Sequence, residues 1–147
     1  MFVQDAMLPD PLTVSPDTSV ADFVSLVLGS NQTTGVVLGP GEQILGVVSV
    51  LDVFRRILPS YIDLRRDLAN VFHEGFFDEE FAALRSVPVK SIMTTEVQTV
   101  GPHETIMRAV QIFVYDRNKA IPVVENDKFV GTVTRRSVLR RVTAELA

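Results

Sequence analysis

An internal repeat restricts the fold of this chain more than any other feature. Residues 3–7 match residues 89–93 at an offset of 86, and residues 46–49 match residues 131–134 at an offset of 85. One half alone, with few strands and two helices on one face, would leave much apolar surface exposed. The repeat therefore predicts two similar units that bury this surface against each other.

Each unit shows strand and helix patterns in the same order. Apolar residues recur at helical spacing over residues 20–28 and 106–114, which predicts one amphipathic helix per unit. A β-branched run follows each helix, and turns at residues 39–42 and 125–128 lead into a second run, which predicts a hairpin. Each unit is therefore predicted as strand–helix–strand–strand–helix, an α/β (α+β) arrangement.

The last strand of the first unit meets its helix at a junction that contains Ser49 and Asp52. A helix N-terminus attracts anions, and a serine hydroxyl there can donate to a phosphate. A carboxylate one turn further on can accept hydrogen bonds from two sugar hydroxyls at once. The same spacing is also that of a capping box, in which both side chains satisfy the amide groups of the helix itself. The recurrence of the junction in the second unit favours the nucleotide interpretation.

The segment between the units has no counterpart in the repeat. Apolar residues at helical spacing between residues 61 and 72, and again between residues 77 and 84, predict two amphipathic helices separated near Gly75. The segment is rich in phenylalanine: Phe72, Phe76, Phe77 and Phe81. Packing against the repeated units is the simpler explanation, and a dimer or partner surface is the alternative.

Composition excludes several classes of function. The net charge of −4 argues against general affinity for nucleic acids or anionic membranes. The absence of cysteine excludes disulfides and thiolate metal sites. The longest apolar run is too short to span a bilayer, and the N-terminus lacks the pattern of a signal peptide, so a cytoplasmic protein is expected. His73 and His103 lack metal-ligand spacing, and no catalytic motif is present, so we expect no enzyme activity.

The order, spacing and duplication of these motifs resemble a tandem pair of CBS domains, the cystathionine-β-synthase-type module. The shared motifs are the opening Val-x-x-hydrophobic-Met, Thr-Val-x-Pro before the first helix, and the closing Gly-hydrophobic-hydrophobic-[Ser/Thr]-x-x-Asp. The resemblance divides the chain into a first unit (residues 1–58), a helical insert (59–88) and a second unit (89–147). It implies two β-α-β-β-α units packed by their sheets as a pseudo-twofold pair, with two clefts between them.

The resemblance also implies a regulatory module that senses an adenine nucleotide or adenosyl compound, such as AMP, ADP or ATP, and requires no cofactor. In the first cleft, Asp52 would hold the ribose and Ser49 would lie near the phosphate. The base pocket of this cleft would be lined by Thr13, Val14, Gly35 and Val36.

The second cleft departs from the family pattern. Thr134 keeps the hydroxyl, but Ser137 stands where the carboxylate is expected. Loss of a charge-assisted hydrogen bond costs roughly 1.5–3 kcal/mol, about ten-fold or more in affinity. Arg135 and Arg136 enter the same helix turn, either as solvated surface charge or as a phosphate clamp. We therefore expect this cleft to prefer charge-rich phosphates or to be empty. Other residues expected around it are Thr99, Arg117, Lys119, Ala120, Ile121 and Pro122.

The partners expected from the resemblance are a second copy of the chain and a separate effector protein. CBS pairs often associate through their helices, and the exposed stripes with Phe54, Ile57 and Leu139 are candidates for a homodimer. The alternative function is a dimerising scaffold that binds a protein partner and no nucleotide. Membrane association and nucleic-acid binding are not expected at this net charge.

Overall fold

The order of strands and helices follows the repeat along the chain. The computed structural model describes residues 1–68, 71–116 and 118–146. Its strands and α-helices, in chain order, are β1 (Thr13–Val14), α1 (Val20–Leu28), β2 (Thr34–Leu38), β3 (Ile44–Ser49), α2 (Val50–Ile57), α3 (Phe76–Leu84), α4 (Ile106–Tyr115), β4 (Ala120–Glu125), β5 (Lys128–Thr134) and α5 (Arg135–Leu146).

Two small sheets form from these strands, which confirms the predicted mixed α+β class. In the first sheet β2 lies between β1, to which it is parallel, and β3, to which it is antiparallel. The second sheet is the β4–β5 hairpin, whose turn places Asn126 and Asp127 at positive φ. In place of the strand predicted before α4, the structure has a single parallel bridge between Val100 and Val123. The second unit therefore keeps the predicted order with a shorter first strand.

The insert forms one of its two predicted helices. The apolar spacing between residues 61 and 72 predicts a helix, but the described residues there adopt turns, and Tyr61 and Leu64 are exposed. This prediction is wrong because a short helix needs tertiary packing for stability, and Tyr61, Leu64 and Val71 all remain more than half exposed.

Helix α3 has the packing that the missing helix lacks. Its last residue, Leu84, is buried in the core of the first unit. Phe77 of the same helix contacts Phe54 of α2 edge to face, with ring centroids 6.2 Å apart. The insert therefore covers part of the outer helix face of the first unit.

The two opening segments of the repeat exchange places between the cores. Val3 and Ala6 are buried with the apolar residues of the second unit, whereas Val89 is buried with those of the first. Main-chain hydrogen bonds hold both exchanged segments, from Val3 N to Glu104 O (2.9 Å) and from Val89 N to Thr18 O (2.8 Å). Each hydrophobic core therefore includes residues from both halves of the sequence.

Candidate functional site: a basic cleft between the two units

A cleft with contributions from both units is one of the cavities formed by the described residues. Its volume is about 420 Å³, within the range of about 300–1,000 Å³ that is typical of small-molecule sites. Residues 8–10 and 31–34 come from the first half of the sequence, and residues 119–120, 134–136 and Arg140 come from the second. The exchange of opening segments brings residues 8–10 to this position.

The cleft is strongly basic although the chain as a whole is acidic. Lys119, Arg135, Arg136 and Arg140 line it, and none of them forms an ion pair with a described residue. Arg135 donates from Nε to the main-chain oxygen of Asn118 at 3.0 Å, which uses one of its five N–H groups. Because these four cations outnumber the single carboxylate that lines the cleft, Asp10, the cleft favours an anionic ligand.

The N-terminus of α5 adds to this positive potential. Thr134 precedes the helix, and its Oγ1 accepts a hydrogen bond from the Ser137 N–H at 3.0 Å. Ser137 Oγ accepts from the Thr134 N–H at 2.8 Å and donates to the Thr134 main-chain oxygen at 3.0 Å. Ser137 is only 5% exposed and does not line the cleft. The Thr134 hydroxyl proton has no acceptor among the described residues, so it remains available to a phosphate oxygen.

The first junction forms the capping box that was the alternative interpretation of its sequence. Asp52 Oδ2 accepts from the main-chain N–H of Ser49 at 2.8 Å, and the Ser49 Oγ accepts from the Asp52 N–H at 3.3 Å. Asp52 Oδ1 lies 3.5 Å from both Thr94 Oγ1 and Arg55 Nη1. Asp52 is 8% exposed and has partners at both carboxylate oxygens, so it caps the N-terminus of α2. Neither Asp52 nor Ser49 lines the 420 Å³ cleft.

The remaining predicted ligand residues divide into two groups. Ala120, Thr134 and Arg135 line the cleft, together with Lys119 and Arg136, as predicted around the second junction. The others do not line it. Five of them are buried within the two sheets: Val14, Gly35, Val36, Ile121 and Pro122. Thr13 and Thr99 are exposed, but they lie outside the cleft. Arg117 lies outside the described residues.

Three parts of the cleft were missed by the sequence reasoning. Residues 8–10 reach it only through the segment exchange, and residues 31–34, which lead into β2, carry no chemical signal of their own. Arg140 carries a usable signal, because it follows Arg136 by four residues and therefore lies on the same helix face.

The comparisons with known proteins establish the family. The CBS domain model matches residues 3–59 and 89–144. The chain therefore belongs to the CBS domain family. An uncharacterized protein from Methanocaldococcus jannaschii is 26% identical over 151 residues, which cover 95% of this chain and 89% of that protein. An inosine-5′-monophosphate dehydrogenase from Korarchaeum cryptofilum is 28% identical over 136 residues, which cover 92% of this chain but only 23% of that enzyme. CBS modules thus also occur within longer catalytic proteins.

Solved structures share the fold over nearly the whole chain. CBSX2 in complex with AMP superposes with a TM-score of 0.75 at 22% identity, covering 99% of this chain and 98% of that chain. The CBS domain pair solved with 5′-methylthioadenosine and S-adenosyl-L-methionine gives a TM-score of 0.72 at 16% identity, with coverage of 99% and 98%. At these identities the likeness establishes the two-unit architecture of the chain.

None of the described helices combines the length and apolar character needed to span a bilayer. The described residues bring together no group of three or more histidine, cysteine, aspartate or glutamate side chains suited to a metal ion.

Proposed function

We propose that the chain is a regulatory module, without enzyme activity of its own, that binds an adenine nucleotide in the basic cleft. The observation that carries this proposal is a set of four cationic side chains without carboxylate partners in a cavity of about 420 Å³. Structures of the same fold that contain AMP or adenosyl compounds support the choice of an adenosine ligand. The effector would be a separate protein, and the cytoplasmic location stays a prediction.

The chemistry of the cleft suggests how a nucleotide would lie in it. The apolar side chains of Leu8, Pro9 and Ala120 offer a surface for the base. The Thr134 hydroxyl, the N-terminus of α5 and the guanidinium groups suit the phosphates. Because each added phosphate brings further negative charge to unpaired cations, the order of affinity is expected to be ATP, then ADP, then AMP.

Isothermal titration calorimetry with ATP, ADP and AMP tests this function. We expect affinity to rise with the number of phosphates, and adenosine to bind much more weakly than ATP. In a thermal melt, ATP at 100 times its Kd should add about 2.7 kcal/mol to the free energy of unfolding. Absence of binding by all three nucleotides, or equal affinity for adenosine and ATP, would refute the proposal.

The Asp52→Ala variant shows which cleft is occupied. Since Asp52 lies outside the basic cleft and is engaged by its own helix, we expect the substitution to lower stability and leave the affinity for ATP unchanged. Loss of ATP binding in a variant that remains folded would instead indicate that the nucleotide binds at the first junction, as the sequence predicted.

We also propose a homodimer, for which the uncovered helix face of the second unit is the supporting observation. An apolar groove between α4 and α5 is lined by Val110, Val114 and Leu139, whereas α3 covers part of the corresponding face of the first unit. Of the predicted contact residues, Leu139 is 61% exposed, but Ile57 is buried in the first core and is excluded.

Sedimentation velocity tests the homodimer. The wild type is expected to sediment as a dimer at micromolar concentration, and Leu139→Glu to sediment as a monomer, because a charge would be buried in an apolar contact. The matched variant Leu28→Glu, which changes an exposed leucine at the end of α1, should remain a dimer. A monomeric wild type would contradict the proposal, and a dimer without nucleotide binding would favour the scaffold function.

A further inference from the structure

One carboxylate lies among the cations of the basic cleft. Asp10 is the acidic residue among its described lining residues. It is exposed, and its carboxylate forms no hydrogen bond or ion pair with a described residue. A carboxylate that stays unpaired in a cleft with three arginines is available to a ligand.

The main chain around Asp10 is held in place. Gln32 donates from Nε2 to the main-chain oxygen of Asp10 at 2.6 Å, and its Oε1 accepts from the Leu12 N–H at 2.8 Å. The oxygen and the nitrogen of the half-buried Gln32 side-chain amide therefore hold the main chain on either side of Pro11. Proline also restricts its own φ and the conformation of the residue before it, so Asp10 has little backbone freedom. Its side chain starts from a defined position in the cleft wall.

The ribose hydroxyls of a nucleotide can donate to a carboxylate, and the second junction does not provide one. Ser137 is buried, and its hydroxyl donates to the Thr134 main-chain oxygen at the start of α5. The arginine and lysine side chains are donors only, whereas a carboxylate is an acceptor that can take two hydroxyl protons. The negative charge of Asp10 also repels phosphate, which would direct the phosphates of a bound nucleotide toward the arginines.

We propose that Asp10 accepts the 2′- and 3′-hydroxyls of the nucleotide bound in the basic cleft. This inference rests on the proposed function and adds a specificity to it, a preference for ribose over sugars that lack these hydroxyls. The ribose carboxylate then comes from the opening segment of the first unit, while the phosphate ligands come from the closing junction of the second.

The test compares ATP with 2′,3′-dideoxy-ATP by calorimetry in the wild type, Asp10→Asn and Asp10→Ala. The ratio of the two affinities is the relevant quantity, because loss of a negative charge near the phosphates changes both affinities together. We expect the wild type to prefer ATP by about ten-fold, as for the loss of hydrogen bonds to a charged group, and Asp10→Ala to bind both nucleotides equally. Asp10→Asn keeps one acceptor oxygen and should give an intermediate ratio.

Asp17→Asn is the matched control. It removes the same charge from an exposed aspartate outside the cleft, which pairs with Lys90 at 3.0 Å, and it should keep the wild-type ratio. A folded Asp10→Ala variant that still prefers ATP by the wild-type ratio would overturn the role of Asp10. A wild type that binds both nucleotides with equal affinity would also overturn the role of Asp10, but it would not contradict the proposed function. If the wild type binds neither nucleotide, the proposed function itself fails.

Discussion

Replacement of Gly46 by alanine is expected to lower the free energy of unfolding by about 1–3 kcal/mol, the usual cost of overpacking a well-packed site. A Cβ at Gly46 would lie 2.6 Å from the main-chain oxygen of Thr94 and 3.0 Å from Met93 Sδ. That oxygen accepts from the Val47 N–H at 2.9 Å, and the Thr94 N–H donates to the Val47 oxygen at 2.8 Å. Strand β3 and the segment at Thr94 cannot separate to admit a methyl group without weakening both hydrogen bonds.

Gly131→Ala is the matched comparison from the second unit. A Cβ there would lie 2.8 Å from Met7 Sδ and 3.2 Å from Met7 Cε, so it meets the end of a flexible side chain. Because a methionine can adopt another rotamer and a paired main chain cannot easily move, the loss should be smaller than for Gly46→Ala. Urea denaturation followed by circular dichroism measures both variants. A neutral Gly46→Ala, or a greater loss from Gly131→Ala, would contradict this account of how the exchanged segments are held.

The double variant Arg136→Gln/Arg140→Gln is expected to weaken ATP binding by about 100-fold. Each guanidinium that contacts a phosphate contributes a charge-assisted hydrogen bond worth about 1.5–3 kcal/mol, which is roughly ten-fold or more in affinity. Folding should be unaffected, because the two arginines are exposed and stand four residues apart on α5, where like charges repel. Calorimetry in low and in high salt is the measurement, and the wild-type affinity should fall more steeply with salt than that of the variant.

A second double variant, Arg108→Gln/Arg141→Gln, separates specific contacts from net charge. It removes the same two charges from exposed or partly exposed positions, Arg108 on α4 and Arg141 on α5, that do not line the cleft. Its affinity for ATP should stay close to that of the wild type. Equal losses in the two double variants would mean that only the overall charge matters. An unchanged affinity for ATP in Arg136→Gln/Arg140→Gln would mean that these two arginines do not contact the phosphates.

Much of the architecture was predictable because its signals are local. The apolar periodicity of α1 and α4 arises from side chains a few residues apart, and the hairpin turns are set by their own residues. Between residues 61 and 72 the periodicity is similar, but the described residues form no helix, and Tyr61, Leu64 and Val71 remain more than half exposed. Helical spacing is therefore sufficient to predict a helix only where the fold supplies a surface for its apolar face.

The candidate site was predictable only in part. Thr134 is the last residue of β5, and Arg135 and Arg136 follow it directly, so the sequence itself places them together at the start of a helix. The junction with Ser49 and Asp52 carries the same pattern, yet its carboxylate caps α2 and contacts the exchanged segment. Sequence cannot separate these two outcomes, because a capping box and a ligand contact need the same atoms at the same spacing.

The sequence by itself determined the duplication, the order of strands and helices in each unit, and the residues at the two helix starts. Only the tertiary structure decided that the opening segments exchange between the cores, and this exchange brings Asp10 to the arginines of α5. The physical reason is that periodicity and capping depend on neighbours along the chain, whereas a cleft depends on which distant surfaces bury each other.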